Sequence, residues 1–203
     1  MTTTKPPSRG AFIWGGLLLA ALAFGLGLAA YLGSEVKPQA NAQSDGPGGP
    51  FTLVASDGKP FTLANVGGKP YAIYFGFTRC PDVCPTSLAK MARLRARMGK
   101  DGEKFAMLFV SVDPGHDKPK DIGQYVTLFG TPIIGLTGSE AQLAAIEKSY
   151  GVYVAKVPQP GGDYTIDHTA AIYLMDARGG FQNMIGHDES DDAALAKLKQ
   201  LVG

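Results

Sequence analysis

Tyr71–Phe77 (YAIYFGF) runs directly into Thr78-Arg79-Cys80-Pro81-Asp82-Val83-Cys84-Pro85. The first seven residues are aromatic, β-branched or small, the content of a strand buried on both faces. Pro85 suits the first turn of a helix. Leu88, Met91, Leu94 and Met98 then recur at helical spacing, which predicts a helix from Pro85 to about Met98 with those four on its core face. A strand, a short loop and a helix in that order begin an α/β unit, and the end of such a strand is where this class of fold concentrates its chemistry.

The elements on either side extend the pattern. Phe51–Ala55 and Pro60–Leu63 flank Asp57-Gly58 and predict a short hairpin. Phe105–Val112 (FAMLFVSV) predicts a second buried strand, Asp121–Phe129 a short helix and Pro132–Leu136 a short apolar strand. Ser139 can cap a helix through Tyr150, with Leu143, Ile146 and Tyr150 on one face. Val152–Val157 and Ala170–Met175 read as strands. Gly179-Gly180 turns the chain into Phe181–Ile185, and Ser190 caps a final helix through about Val202. Alternating strands and helices closed by a late hairpin predict an α/β sandwich with a mixed sheet.

Upstream of this domain lies a different kind of sequence. Ala11–Leu32 is a run of 22 residues without a charged side chain. As a helix it would be about 33 Å long, enough for a hydrocarbon core of about 30 Å. Trp14 and Tyr31 lie near its ends, and Lys5 and Arg9 precede it with no acidic residue, which predicts a cytoplasmic amino terminus and an exported domain. A cleaved signal peptide is the alternative. Ala40-Asn41-Ala42 resembles a cleavage site, but it lies well past the apolar run, and that run is longer than the usual signal core of about 7–15 residues. The chain therefore divides into a cytoplasmic segment (1–10), a single transmembrane anchor (11–32), a Pro- and Gly-rich flexible linker (33–50) and one folded domain (51–203). The short amino-terminal segment has no transit-peptide character, so the expected location is a bacterial inner membrane with the domain facing the periplasm.

Charge excludes one class of function. Past Ala42 there are 16 Lys and Arg against 17 Asp and Glu, without the basic excess that neutralises nucleic-acid phosphates. Lys90, Arg93, Arg95, Arg97 and Lys100 are the one local basic cluster, read as the solvated face of a helix.

The chain has 2 cysteines and 3 histidines. Cys80 and Cys84 sit between strand and helix, with Cys84 expected at the helix cap. Unpaired amides, the helix dipole and Arg79 all favour a thiolate there. The pair could close a disulfide or grip a metal ion, and an oxidising compartment permits either. A purely structural disulfide would close a very small loop and gain little. His116 follows the turn Asp113-Pro114-Gly115 and reads as exposed, as does His187. His168 precedes a buried apolar strand, which can bring it beside the cysteine loop; spacing alone leaves it open between ligand and surface residue. Asp82 can tune the site or solvate the loop. Asp167 can orient His168 or shape a turn, Asp113 reads as a turn former, and Met91 and Met98 as core.

Three stretches resemble the Sco/SenC family of copper-delivery proteins: Phe75-Gly76-Phe77-Thr78-Arg79-Cys80-Pro81-Asp82-Val83-Cys84-Pro85-Thr86, Ser111-Val112-Asp113-Pro114, and Asp163-Tyr164-Thr165-Ile166-Asp167-His168-Thr169. The likeness covers about Phe51 to Val202. It implies a thioredoxin-like fold behind a membrane anchor and copper held by Cys80, Cys84 and His168. It further implies a role in assembling the binuclear copper centre of cytochrome c oxidase subunit II, as copper donor, as thiol reductant, or as both. Another periplasmic copper carrier is a further implied partner. Arg79 is a mild departure, since the resemblance leads one to expect a histidine or an aromatic there. Ligand chemistry agrees with copper: two thiolates and an imidazole are soft-to-borderline donors, and copper(I) tolerates few ligands. Zinc, which takes four, would need a water. A thiol–disulfide oxidoreductase using Cys80 and Cys84 alone is the competing function, and no convincing peroxidatic motif supports a peroxidase.

Overall fold

A computed structural model of the protein describes residues 46–203. The expected anchor (11–32) and most of the expected linker lie outside those residues. Among the described residues no helix is long and apolar enough to cross a membrane. The last linker residues lie on the domain itself: the Gly48 amide donates to the Ser149 carbonyl at 2.9 Å.

The domain is built on one seven-stranded sheet. Its strands are β1 (Thr52–Ala55), β2 (Pro60–Thr62), β3 (Tyr71–Gly76), β4 (Ala106–Ser111), β5 (Ile134–Thr137), β8 (Ala171–Met175) and β9 (Phe181–Gly186), in the order β2-β1-β5-β4-β3-β8-β9. The centre, β5-β4-β3, is parallel, while β1 and β8 join it antiparallel, so the sheet is mixed as the element pattern predicts. A separate two-stranded ladder pairs β6 (Val154–Pro158) with β7 (Tyr164–His168). The helices are α1 (Val83–Arg97), α2 (Pro119–Thr127), α3 (Glu140–Tyr150) and α4 (Asp191–Val202).

Every residue of β3 is buried, because helices cover both faces of the sheet. Alternation along the strand divides the core. Tyr71 and Phe75 face α3: the Tyr71 and Tyr150 hydroxyls are 2.8 Å apart, and the Phe75 and Tyr150 rings are 5.4 Å apart. Tyr74 and Gly76 face the other way, toward Phe109, the start of α1 and, through the Phe109–Tyr125 ring pair, α2.

Four expectations need correction. First, α1 begins at Val83, two residues before Pro85. Proline is tolerated there because the first four helical positions need no intrahelical amide partner. Second, Asp82 is therefore the cap, and Cys84 lies inside the first turn. Third, Lys90 is not on a solvated face: it is 8% exposed, and its ammonium donates to the carbonyls of His187 and Glu189. Docking of α4 against α1, marked by the Arg93–Asp191 and Arg97–Asp192 pairs, creates that environment. Fourth, His187 is half-buried, with Nδ1 3.2 Å from the Ser87 hydroxyl.

Candidate metal centre

The site forms where the loops after the parallel strands β3 and β4 meet. The Val112 amide donates to the Gly76 carbonyl at 2.8 Å, keeping the two strand ends together. Asp117, 2% exposed, holds the cysteine loop from below: it accepts from the Thr78 amide (2.8 Å), the Thr78 hydroxyl (2.5 Å) and the Ser111 hydroxyl (2.5 Å). Sequence reading passed over Asp117, because an acid two residues beyond a Pro-Gly turn carries no pattern that distinguishes it from a solvated one.

One turn of chain separates the two thiols. Cys84 is fully buried and Cys80 half-buried; neither is bridged. The Cys84 amide points at the Cys80 sulfur, 3.4 Å away. Gly76 makes room for the Cys84 sulfur: a Cβ on Gly76 would stand 2.8 Å from it.

His168 comes from the end of β7, and its Nε2 lies 3.4 Å from Cys84 Sγ. Its Nδ1 lies 3.1 Å from the Thr169 carbonyl. A carbonyl can only accept, so Nδ1 carries a proton and donates to it, which leaves Nε2 as the ring nitrogen that faces the sulfurs. The imidazole is oriented by backbone rather than by Asp167, which is exposed at the alternate position of the strand. Phe77 and Tyr74 present ring edges or faces to it at 5.9 and 6.1 Å, making an apolar wall.

The two thiols are electrically unequal. Cys80 is pulled down to about 4, first by the hydrogen bond from the Cys84 thiol, then by His168 and by the amides of Cys84 and Asp82, against the opposing effect of burial. Cys84 is pushed up, by donating to Cys80 and by burial. This reverses the expectation that placed the favoured thiolate on Cys84 at the cap. The sulfur that sits just outside the helix receives the free amides, and the one inside the first turn does not. Arg79 is engaged elsewhere: it binds Asp163 (2.8 Å), with Asp113 at 3.5 Å.

The ligand atoms of Cys80, Cys84 and His168 all lie within 4.8 Å of one another. Among the described residues they are the one group of three or more Cys, His, Asp or Glu side chains close enough to hold a metal ion. His116 and His187 lie apart from it. Met91 is buried in the core at 1% exposure, and Met98 at 9%. Asp82 is exposed and accepts from the Thr86 hydroxyl at 3.1 Å.

A mixed α/β sheet with two thiols at the end of a central parallel strand, and an imidazole brought over them by a hairpin, defines a thioredoxin-like domain with a soft-metal, thiol-active centre. Comparison with known proteins narrows that class. The SCO1/SenC family matches residues 39–203. The structure is similar to that of Bradyrhizobium japonicum ScoI with copper bound, at 44% identity and a TM-score of 0.70, over 76% of this chain and 99% of that one. In sequence it is 34% identical over 158 residues to the mitochondrial SCO1 homolog 1 of Arabidopsis thaliana, covering 75% of this chain and 47% of that protein. It also resembles BsSco, described as a Sco-family cytochrome c oxidase assembly protein with a disulfide switch, at 25% identity and a TM-score of 0.60, over 78% of this chain and 95% of that one. The chain belongs to the SCO1/SenC family. It spans about half the length of the first curated relatives it matches, 47% and 52% of them.

Proposed function

We propose that this chain is a membrane-anchored copper metallochaperone of a bacterial inner membrane. Its domain works on the periplasmic side, holds copper(I) through Cys80, Cys84 and His168, and helps assemble the binuclear copper centre of cytochrome c oxidase subunit II. The observation that carries the reading is the convergence of two sulfurs and one imidazole nitrogen within 4.8 Å. The copper-bound relatives support it, and the uncharged run Ala11–Leu32 supports the anchor.

Copper is cargo here. Cys80 is held low and Cys84 high, so the thiolate character of the pair lies on Cys80, and copper(I) loading displaces the proton that Cys84 holds. No electron moves. The half-buried Cys80 sulfur is the exposed end of the site from which an incoming ligand of the partner can begin an exchange, while Cys84 and His168 retain the ion until the partner's ligands are complete.

The inequality of the thiols favours a second use. Cys80 as thiolate can attack a disulfide in the partner, forming a mixed disulfide and releasing one partner thiolate. Cys84 then loses its proton and attacks Cys80, releasing the second. The dithiol is oxidised by two electrons and the partner's disulfide is reduced. A deletion strain complemented with His168→Ala, or with both cysteines replaced, separates the uses through oxidase activity with and without added copper. Metallochaperone action predicts failure of both variants without copper. Full rescue by His168→Ala without copper would refute it.

A further inference from the structure

His168 does not belong to the main sheet. It ends β7, in a two-stranded ladder that shares no strand pairing with the other seven strands. Ile166, 6% exposed, is the one buried apolar side chain of β7, and the outer half of β6 is exposed. Something else must fix where this hairpin stands over the cysteines.

A polar cluster does so at the opposite end of β7. Arg79, the residue before Cys80, donates from Nη1 to Asp163 at 2.8 Å and from Nη2 to the Tyr164 carbonyl at 3.3 Å. The Tyr164 hydroxyl donates to Asp113 at 2.6 Å. Asp113 is fully buried, and His116 Nδ1 lies 3.0 Å from its second oxygen. Burial alone would raise the Asp113 carboxyl, but the Tyr164 hydroxyl, His116 and Arg79 together hold it below the usual range, so it stays charged. Gly115 leaves the space: a Cβ there would stand 2.6 Å from the Tyr164 hydroxyl. From Tyr164 the paired strand runs about 13 Å to His168, so a ladder seated at one end sets the imidazole at the other.

We propose that Asp113, Tyr164 and Arg79 form a latch that positions His168 over Cys80 and Cys84. They touch no metal and act through the β6–β7 hairpin. The inference rests on the copper reading of the site, and its test has one arm that does not.

The variants are Tyr164→Phe and Asp113→Asn, with exposed Arg79→Gln as a third that carries little risk to folding. In reduced, metal-free protein, amide hydrogen exchange over 154–158 and 164–168 should quicken about tenfold, while amides of β3 and β4 keep their wild-type rates. In copper(I)-loaded protein, X-ray absorption should retain two sulfur neighbours and lose the nitrogen neighbour. Wild-type exchange in all three variants overturns the latch. A loosened hairpin that keeps its nitrogen neighbour overturns the positioning role. Failure of the copper reading looks different: wild-type protein would take up no copper(I), or His168→Ala would bind it unchanged.

Discussion

Gly76→Ala probes the site through packing alone, leaving every proposed ligand in place. The added Cβ would stand 2.8 Å from Cys84 Sγ and 3.1 Å from the Phe109 ring. Relaxed contacts of this kind are about 3.5–4.0 Å, so the sulfur or the strand must shift by about 1 Å. The Cys84 sulfur is fully buried and has little free space to enter. Overpacking of this size costs about 1–3 kcal/mol, or a fall in Tm of about 2–12 °C for a domain near this length. The shift also pulls the sulfur out of register with His168 Nε2, and copper(I) affinity should fall about 10- to 100-fold, as when other supporting groups of a metal site are lost. Thermal melts and competition with a copper(I) chelator measure the two effects. Leu198→Ala is the control, since it empties a buried position on α4 at a cost of about 2–5 kcal/mol without touching the site. Wild-type affinity in Gly76→Ala, or an equal loss in Leu198→Ala, would refute the reasoning.

Four further predictions concern the thiols and the core. Because Cys80 is held down to about 4, its alkylation by iodoacetamide should be nearly flat from about pH 6 to 8, where an ordinary thiol of pKa about 8.5 gains about tenfold per unit; mass spectrometry should find Cys80 modified before Cys84, and the opposite order would contradict the assignment. The same shift means the unfolded chain takes up the thiol proton first, so Cys80 contributes stability above about pH 8.5 that is lost as pH falls toward 4, which urea melts across that window can follow, whereas the Cys84 shift acts above it. Tyr71→Phe and Tyr150→Phe should each cost about 1–2 kcal/mol by leaving the other buried hydroxyl unpaired, and the double variant should cost less than their sum in urea melts. Lys90→Met should cost about 1–3 kcal/mol by stripping the His187 and Glu189 carbonyls of their donor, and an unchanged melt would show that water replaces it.

The strands β3, β4 and β8 were legible because continuous apolar content needs no partner to be read. The strand β7 was not. Of its five residues only Ile166 is buried, so its extended form comes from pairing with β6 across a turn. The cysteine loop could be placed from sequence, but not the order of the thiol pKa values, which turns on α1 starting at Val83 rather than Pro85. Asp113 read as a turn former because its burial depends on Tyr164 and Arg79, which only the fold brings to it. Lys90 read as solvated because α4 lies about a hundred residues further along the chain. For Asp113 and Lys90 the local pattern was correct about conformation and silent about what covers it.

The central claim is that Cys80, Cys84 and His168 hold one copper(I) together. The most direct measurement is copper(I) titration of the reduced domain with X-ray absorption of the loaded protein, in wild type and in His168→Ala. The account predicts one copper per chain with two sulfur and one nitrogen neighbours, and in the variant loss of the nitrogen neighbour with weakened binding and an intact fold. Unchanged affinity and an unchanged copper environment in His168→Ala would contradict it.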